Sequence, residues 1–300
     1  MSTSIDEKRV VAVIGATGRQ GGGLVRSIAA DPDGPFAVRA VTRDAGSPRA
    51  KELAGLGAEV VTADLDDPGS VEAAFAGAYG AFCVTAAQDQ PERETAHATT
   101  MAAAARHAGV AHVVWSTFED TRTLSDDRVP LLPGGYRVPH YDAKAAADAE
   151  FAGVPVTFLR TAFFWENFLD GGGPRRGEDG ALALALPLGP ARLPGIAVAD
   201  IGRCVHAIFH RPELVGATVS ITGENLTGAE LAAGFAASLG EPVRFDDVPP
   251  DVLPAALANM FRFTRYFESV HAGSRDPAET RKLHPGLLTF SQWLSEGTSR

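Results

Sequence analysis

Val10-Val-Ala-Val-Ile-Gly-Ala-Thr-Gly-Arg-Gln-Gly21 runs five apolar residues into glycines at 15, 18 and 21, and an amphipathic segment, Gly22–Ala30, follows at once. This is the order strand, tight turn, helix. The first glycine lets the chain turn sharply, and the second lets backbone N–H groups approach a pyrophosphate. The third permits close packing of helix on strand, and the helix N-terminus then faces the phosphate with partial positive charge. In a chain with 32 glycines the spacing alone is a weak signal. The strand before it, the helix after it and a second strand at the right distance give it weight. Gly15, Thr17, Gly18, Arg19, Gln20 and Gly21 are therefore the expected phosphate-turn residues.

Working outward, Phe36-Ala-Val-Arg-Ala-Val-Thr42 reads as the second strand. NAD sites usually place a carboxylate at its end for the ribose 2′-hydroxyl, whereas an arginine accommodates a 2′-phosphate. Here the strand ends in Thr42-Arg43, and the planar fork of Arg43 suits a phosphate. The expected coenzyme is thus NADP(H). Ala58–Asp64 is the third strand. Asp64 and Leu65 fall near the adenine, although Asp64 equally suits the cap of a helix over Pro68–Phe75. Tyr79–Thr85 is the fourth strand, and Thr85 and Ala86 lie at its carboxyl end, where ligands of open parallel sheets sit. An alanine-rich helix, Pro91–His107, leads to a fifth strand, Ala111–Ser116, followed by Thr117. Val154–Arg160 is the sixth strand. Ile196–Asp200 and a helix over Ile201–His210 read as a return to the main sheet, with Thr218–Thr222 its last strand. Strands alternating with helices predict an α/β, Rossmann-type doubly wound parallel sheet.

The expected domains are 1–159, completed by about 196–222, as the dinucleotide-binding part, and 160–195 with 223–300 as a smaller, mostly helical C-terminal cap domain. The loop Phe118–Pro139 leaves the carboxyl edge of the sheet and is long enough to serve as a lid. Gly171–Gly177 reads as a flexible insert and Leu182–Leu188 as a short strand. Arg262, Arg265, Arg275, Arg281 and Lys282 form either a solvated helix face or a surface for an anion or a partner.

Composition excludes several classes. Hydrophobic content of 45 % with 21 % charge is that of an ordinary globular chain, and no apolar run approaches the length of about 20 residues needed to cross a membrane. The polar start, Met1–Arg9, reads as neither signal nor transit peptide. Cys83 and Cys204 are expected as buried free thiols, which points to the cytoplasm. A net charge of −10 opposes direct contact with nucleic acid. His97, His107 and His112 lack metal-ligand spacing, and no metal is expected.

With these residues assembled, the chain resembles the NmrA-like family of atypical short-chain dehydrogenase/reductases, nearest its animal NADPH-sensing members. The likeness is carried by Val13–Gly22, Val41-Thr-Arg43, Gly57–Val61, Asp64-Leu-Asp-Asp67, His140-Tyr-Asp-Ala-Lys144, Val154–Thr157, Phe164-Trp-Glu-Asn167, Leu257–Phe263 and Leu288–Leu294. It implies a Rossmann domain holding NADP(H), and either reduction of a small electrophile such as a quinone, aldehyde, ketone or imine, or redox sensing through a regulatory protein partner. A homodimer is open in either case. Reductases of this group use a tyrosine as proton donor and a lysine four residues later at the nicotinamide ribose. Here Lys144 follows His140 by four and Tyr141 by three, so the tyrosine position holds histidine. An unperturbed imidazole, with a pKa of about 6.5, would be a workable donor. The expected catalytic set is Lys144, His140, Thr117 and, out of register, Tyr141; Phe163 and Asn167 are expected at the nicotinamide.

Overall fold

The computed structural model describes residues 8–85 and 91–297. In chain order the elements are β1 (Arg9–Val13), α1 (Arg19–Ala29), β2 (Phe36–Thr42), α2 (Pro48–Gly55), β3 (Glu59–Thr62), α3 (Pro68–Phe75), β4 (Gly80–Cys83), α4 (Glu94–His107), β5 (His112–Thr117), α5 (Thr121–Leu124), α6 (Pro139–Ala147) and β6 (Val156–Arg160). There follow β7 (Phe163–Phe164), β8 (Arg175–Arg176), β9 (Leu182–Leu186), β10 (Arg192–Ile196), α7 (Val198–Phe209), β11 (Thr218–Ser220), β12 (Glu224–Thr227), α8 (Gly228–Leu239), β13 (Val243–Asp247), α9 (Ala255–Tyr266), α10 (Glu268–His271), α11 (Pro277–Leu283) and α12 (Phe290–Gly297).

Seven strands form one parallel sheet in the order β11-β6-β5-β4-β1-β2-β3. The reversal of strand order between β1 and β4 creates the crevice where doubly wound sheets bind ligands. The central strands are buried, so they read as apolar runs rather than alternating ones. Val11, Val13, Ala81, Phe82, Val113 and Trp115 have no exposed surface. Helices α1 and α7 meet backbone to backbone, since a Cβ on Gly202 would overlap the Gly23 main chain.

The chain divides into two compact units. One comprises the described residues up to Thr117, with Ala147–Leu159 and Ile201–Val219; the other comprises Phe118–Ala146, Arg160–Asp200 and the described residues from Ser220 onward. The second is about as long as the first. Besides its helices it holds two three-stranded sheets, β12-β10-β7 and β13-β9-β8. The stretch Ile196–Asp200, expected to lead back into the main sheet, does not join it: Ile196 ends β10, which pairs antiparallel with β12 and parallel with β7, and α7 begins at Val198. Part of the expected flexible insert is likewise ordered, as β8 on β9. The core of this unit is a cluster including Trp165, Phe168, Phe235, Phe263, Phe290 and Trp293. Among the described residues, no helix is long and apolar enough to cross a membrane.

The loop expected as a lid is pinned within the second unit. The fully buried carboxylate of Asp142 accepts hydrogen bonds from the Thr121 amide and hydroxyl (2.7 and 2.6 Å) and from the amides of Arg137 and Val138 (2.7 and 3.2 Å). The buried Asn259 amide donates to the carbonyls of Pro130 and Arg137 at 2.7 and 2.6 Å. Asp142→Asn puts an NH2 group against amide donors while keeping the shape. It is expected to cost about 2 kcal/mol, read from urea unfolding; a loss below about 0.5 kcal/mol would show that the network carries little.

Candidate functional site

The glycine turn leaves β1 with Gly15 at φ +65°, a left-handed conformation that favours glycine. The Gly18 amide donates to the Gly15 carbonyl at 2.8 Å, which closes the turn. A Cβ on Gly21 would stand 2.8 Å from the Gly15 carbonyl carbon and 3.0 Å from Ala16 Cα, with backbone on both sides. Helix α1 then begins without a side-chain cap. A helix start of this kind, with its partial positive charge, suits a phosphate.

This turn forms one wall of a cavity of about 830 Å³ in the first unit. Gly15, Thr17, Gly18, Arg43, Asp64, Leu65 and Thr85 all line it. Arg19, Gln20 and Gly21 lie on α1 outside the lining; Gln20 Oε1 instead accepts from the Ser116 hydroxyl at 3.0 Å. Ala86 falls outside the described residues.

Two arginines, Arg43 and Arg49, also line the cavity. Arg43 follows β2. Arg49, not anticipated from sequence, sits in the first turn of α2 and donates to the Thr17 carbonyl at 3.4 Å. The Ser-Pro-Arg segment is itself a helix-start signature, with Ser47 capping α2, and that signal was legible. On the remaining side Ile14, Val41, Ala63, Leu65 and Val71 offer an apolar surface for a planar ring. Asp64 does not cap α3. Its carboxylate closes its own turn by accepting the Asp66 amide at 3.0 Å, and Asp67 is the cap. Asp66 pairs with Arg93 and, at 3.1 Å, with His97. The bond from Arg93 holds the Asp66 carboxyl below its usual range. Thr85 donates to the buried Glu94 carboxylate.

The expected catalytic residues divide between the units. Thr117 is buried at the end of β5 in the first. His140, Tyr141 and Lys144 lie on α6 in the second. Burial, with the charge of Lys144 beside it, lowers the His140 pKa to about 4. At neutral pH the ring is therefore neutral, and the expectation of an ionisable donor titrating near 6.5 is corrected. Tyr141 is a core residue. Its ring stacks on Phe118 with centroids 4.1 Å apart, and burial pushes its hydroxyl pKa up. That hydroxyl lies 3.5 Å from Nε2 of His271, an imidazole that burial holds down at about 3. Lys144 is buried. Phe163 packs on Phe168, with centroids 5.2 Å apart. Asn167 lies in a 3₁₀ turn, Trp165–Phe168.

The basic segment 259–282 is not a uniform solvated face. Arg275 is fully buried in a bidentate pair with Glu119 at 2.6 and 3.1 Å, and its Nε donates to the Thr161 carbonyl. Arg265 pairs with Asp247, Arg262 with Asp251 and Lys282 with Glu279. Cys83 and Cys204 are buried free thiols. His112 is a buried packing residue, its Nε2 2.8 Å from the Thr157 hydroxyl.

The NmrA-like family model matches residues 7–294. The NmrA-like family domain-containing oxidoreductase FrzB of Cladobotryum sp is 33% identical over 264 residues, covering 80% of this chain and 76% of that protein. The solved structure of NmrA, a negative transcriptional regulator, in complex with NADP superposes with a TM-score of 0.80 at 25% identity, over 96% of this chain and 95% of that one. The same regulator in complex with NAD gives a TM-score of 0.81, also at 25% identity and with the same coverage. With a match spanning nearly the whole sequence, the chain belongs to the NmrA-like family.

Proposed function

We propose that the chain binds NADP(H) in the first unit and reduces a small electrophile (a quinone, aldehyde, ketone or imine) by hydride transfer. The observation that carries the reading is the cavity itself, lined by the glycine turn (Gly15, Thr17, Gly18) that leads into α1 and by Arg43 and Arg49. The turn suits a pyrophosphate and the arginines a 2′-phosphate. The apolar surface from Ile14 to Val71 suits the adenine. The oxidoreductase name of the fungal relative and the coenzyme complexes of the regulator support it. When bound, the coenzyme supplies the hydride. Lys144 takes the ribose-binding role that the family resemblance assigns it. Neutral His140 offers an N–H hydrogen bond, so the proton that completes reduction comes from solvent. The low His140 pKa and the buried Tyr141 hydroxyl favour a second reading, a non-catalytic NADP(H) sensor acting through a protein partner.

NADPH consumption across a panel of quinones, aldehydes and imines tests both readings. The reductase reading expects turnover that falls with Lys144→Ala and a pH profile without a break near 6.5. Arg43→Ala is expected to weaken NADPH binding about 10- to 100-fold, the worth of a charge-assisted contact, while NADH affinity stays within about threefold. Tight NADPH binding without consumption against any acceptor would leave the sensor reading. Equal NADPH and NADH affinity in the wild type would overturn the choice of coenzyme.

A further inference from the structure

At the opposite edge of the parallel sheet from the glycine turn, Asp31, His206 and His210 converge, each offering a ligand atom within 4.8 Å of the others. The sequence arranges this through two helices. Gly23 and Gly202 bring α1 and α7 into backbone contact. One turn further along each helix, Ser27 meets His206, the hydroxyl lying 3.1 Å from Nδ1. His210 follows His206 by four residues, the spacing that stacks two side chains on one helix face. Their Nε2 atoms are 3.4 Å apart. Asp31 lies just past the end of α1, in a turn where the Gly34 amide donates to the Asp31 carbonyl at 3.1 Å. Its carboxylate is folded over Gly34, where an added Cβ would stand 2.6 Å from Cγ.

We propose that Asp31, His206 and His210 bind a divalent transition-metal ion of the zinc class, with a fourth, solvent-facing position open. Two nitrogens at about 2.0–2.1 Å from a tetrahedral ion stand about 3.3 Å apart, close to the spacing of the histidine pair. Nitrogen and carboxylate donors suit zinc and its neighbours rather than calcium or magnesium. With an ion on Nε2, the His206 ring carries its proton on Nδ1 and donates it to the Ser27 hydroxyl oxygen, 3.1 Å away, the outer partner that metal-bound histidines have. The last turns of α1 and α7 both end here, and helix C-termini favour a cation. With β1 spanning roughly 15 Å, the ion is separate from the coenzyme cavity and acts as a clasp between α1 and α7.

The test uses tag-free protein stripped with EDTA, titrated with Co²⁺ by visible absorption and with Zn²⁺ by calorimetry. One ion per chain is expected, with the intense visible bands of low-coordinate cobalt and a raised melting temperature. His210 is exposed, so His210→Ala removes a ligand without opening the core. It is expected to abolish the cobalt bands and to weaken zinc more than the 10- to 100-fold typical of losing an outer partner. Gly34→Ala, which displaces the Asp31 carboxylate, is expected to weaken zinc in the same direction. His107→Ala, at an exposed histidine elsewhere, serves as the control and should change nothing. NADPH affinity should be unaltered throughout. Equal zinc affinity in wild type and His210→Ala, or no stoichiometric uptake, overturns the proposal.

Discussion

Arg275→Met is expected to destabilise the protein by about 3–5 kcal/mol at pH 7, because it strands the buried Glu119 carboxylate without its guanidinium partner. The pair is fully enclosed, with side-chain exposures of 0% and 1%. For Glu119, burial alone would raise the pKa, but the charge and hydrogen bonds of Arg275 outweigh it and hold the carboxyl below its ordinary value. The sign follows. A carboxylate depressed in the folded state contributes stability that is present above the unfolded pKa and lost as pH falls through the folded one. In Arg275→Met the depression is gone and burial raises Glu119, so the deficit is greatest at neutral pH and narrows as pH approaches 4. Urea unfolding at pH 7 and pH 4.5 reads both effects. A pH-independent loss, or one below about 1 kcal/mol, would mean that the pair contributes only packing. Replacing both partners together, Glu119→Leu with Arg275→Met, should recover most of the loss, since an apolar pair leaves no stranded charge.

Gly21→Ala is expected to lower NADPH affinity at least about 100-fold, or about 2.7 kcal/mol. The new methyl group meets the backbone of Gly15 and Ala16, which has no rotamer to change, so the phosphate turn itself must shift. Stability should move far less. Overpacking costs about 1–3 kcal/mol, while removing a glycine from a helix returns up to about 1 kcal/mol. Fluorescence titration of NADPH against both proteins, alongside unfolding curves, separates the two. Affinity within about threefold of wild type would show that the turn is not where the pyrophosphate binds.

These two positions also mark what was legible in the sequence. Gly21 belongs to a local pattern: strand, turn and helix are contiguous, and their backbone geometry follows from residues within a dozen positions. The same holds for β2 and α3, whose limits could be read directly from β-branched runs and from Pro68. The cap of α3 was not legible: Asp64, the expected cap, closes a tight turn of its own, and Asp67 takes the role. Arg275 is different. Its partner is 156 residues away, so nothing in its neighbourhood distinguishes it from Arg265 or Lys282. Strand β10, interrupted by Pro194 and Gly195, does not read as a strand, and its partners, β7 and β12, are chosen by tertiary packing rather than by its own residues. His140 looked like a donor because an imidazole in water is one. Only the burial around α6 lowers its pKa, and burial is a property of the assembled fold.

The first unit is drawn from three separate stretches of chain, and this governs how it must be made. β5 emerges before β6, which covers its edge, and β6 in turn waits for β11, complete only at residue 220. At ribosomal rates of about 5–20 residues per second, the stretch between β5 and β6 takes roughly 2–8 s to appear and that between β6 and β11 roughly 3–12 s more. During the first interval the nascent sheet presents the edge of β5 unpaired, and during the second the edge of β6, each an invitation to join another chain. Its sequence-distant pairings also predict slow closure, because loop entropy must be overcome before the contacts form. Shelter by chaperones during synthesis, and aggregation when folding is started from the denatured chain at high concentration, are therefore consequences of the weave itself.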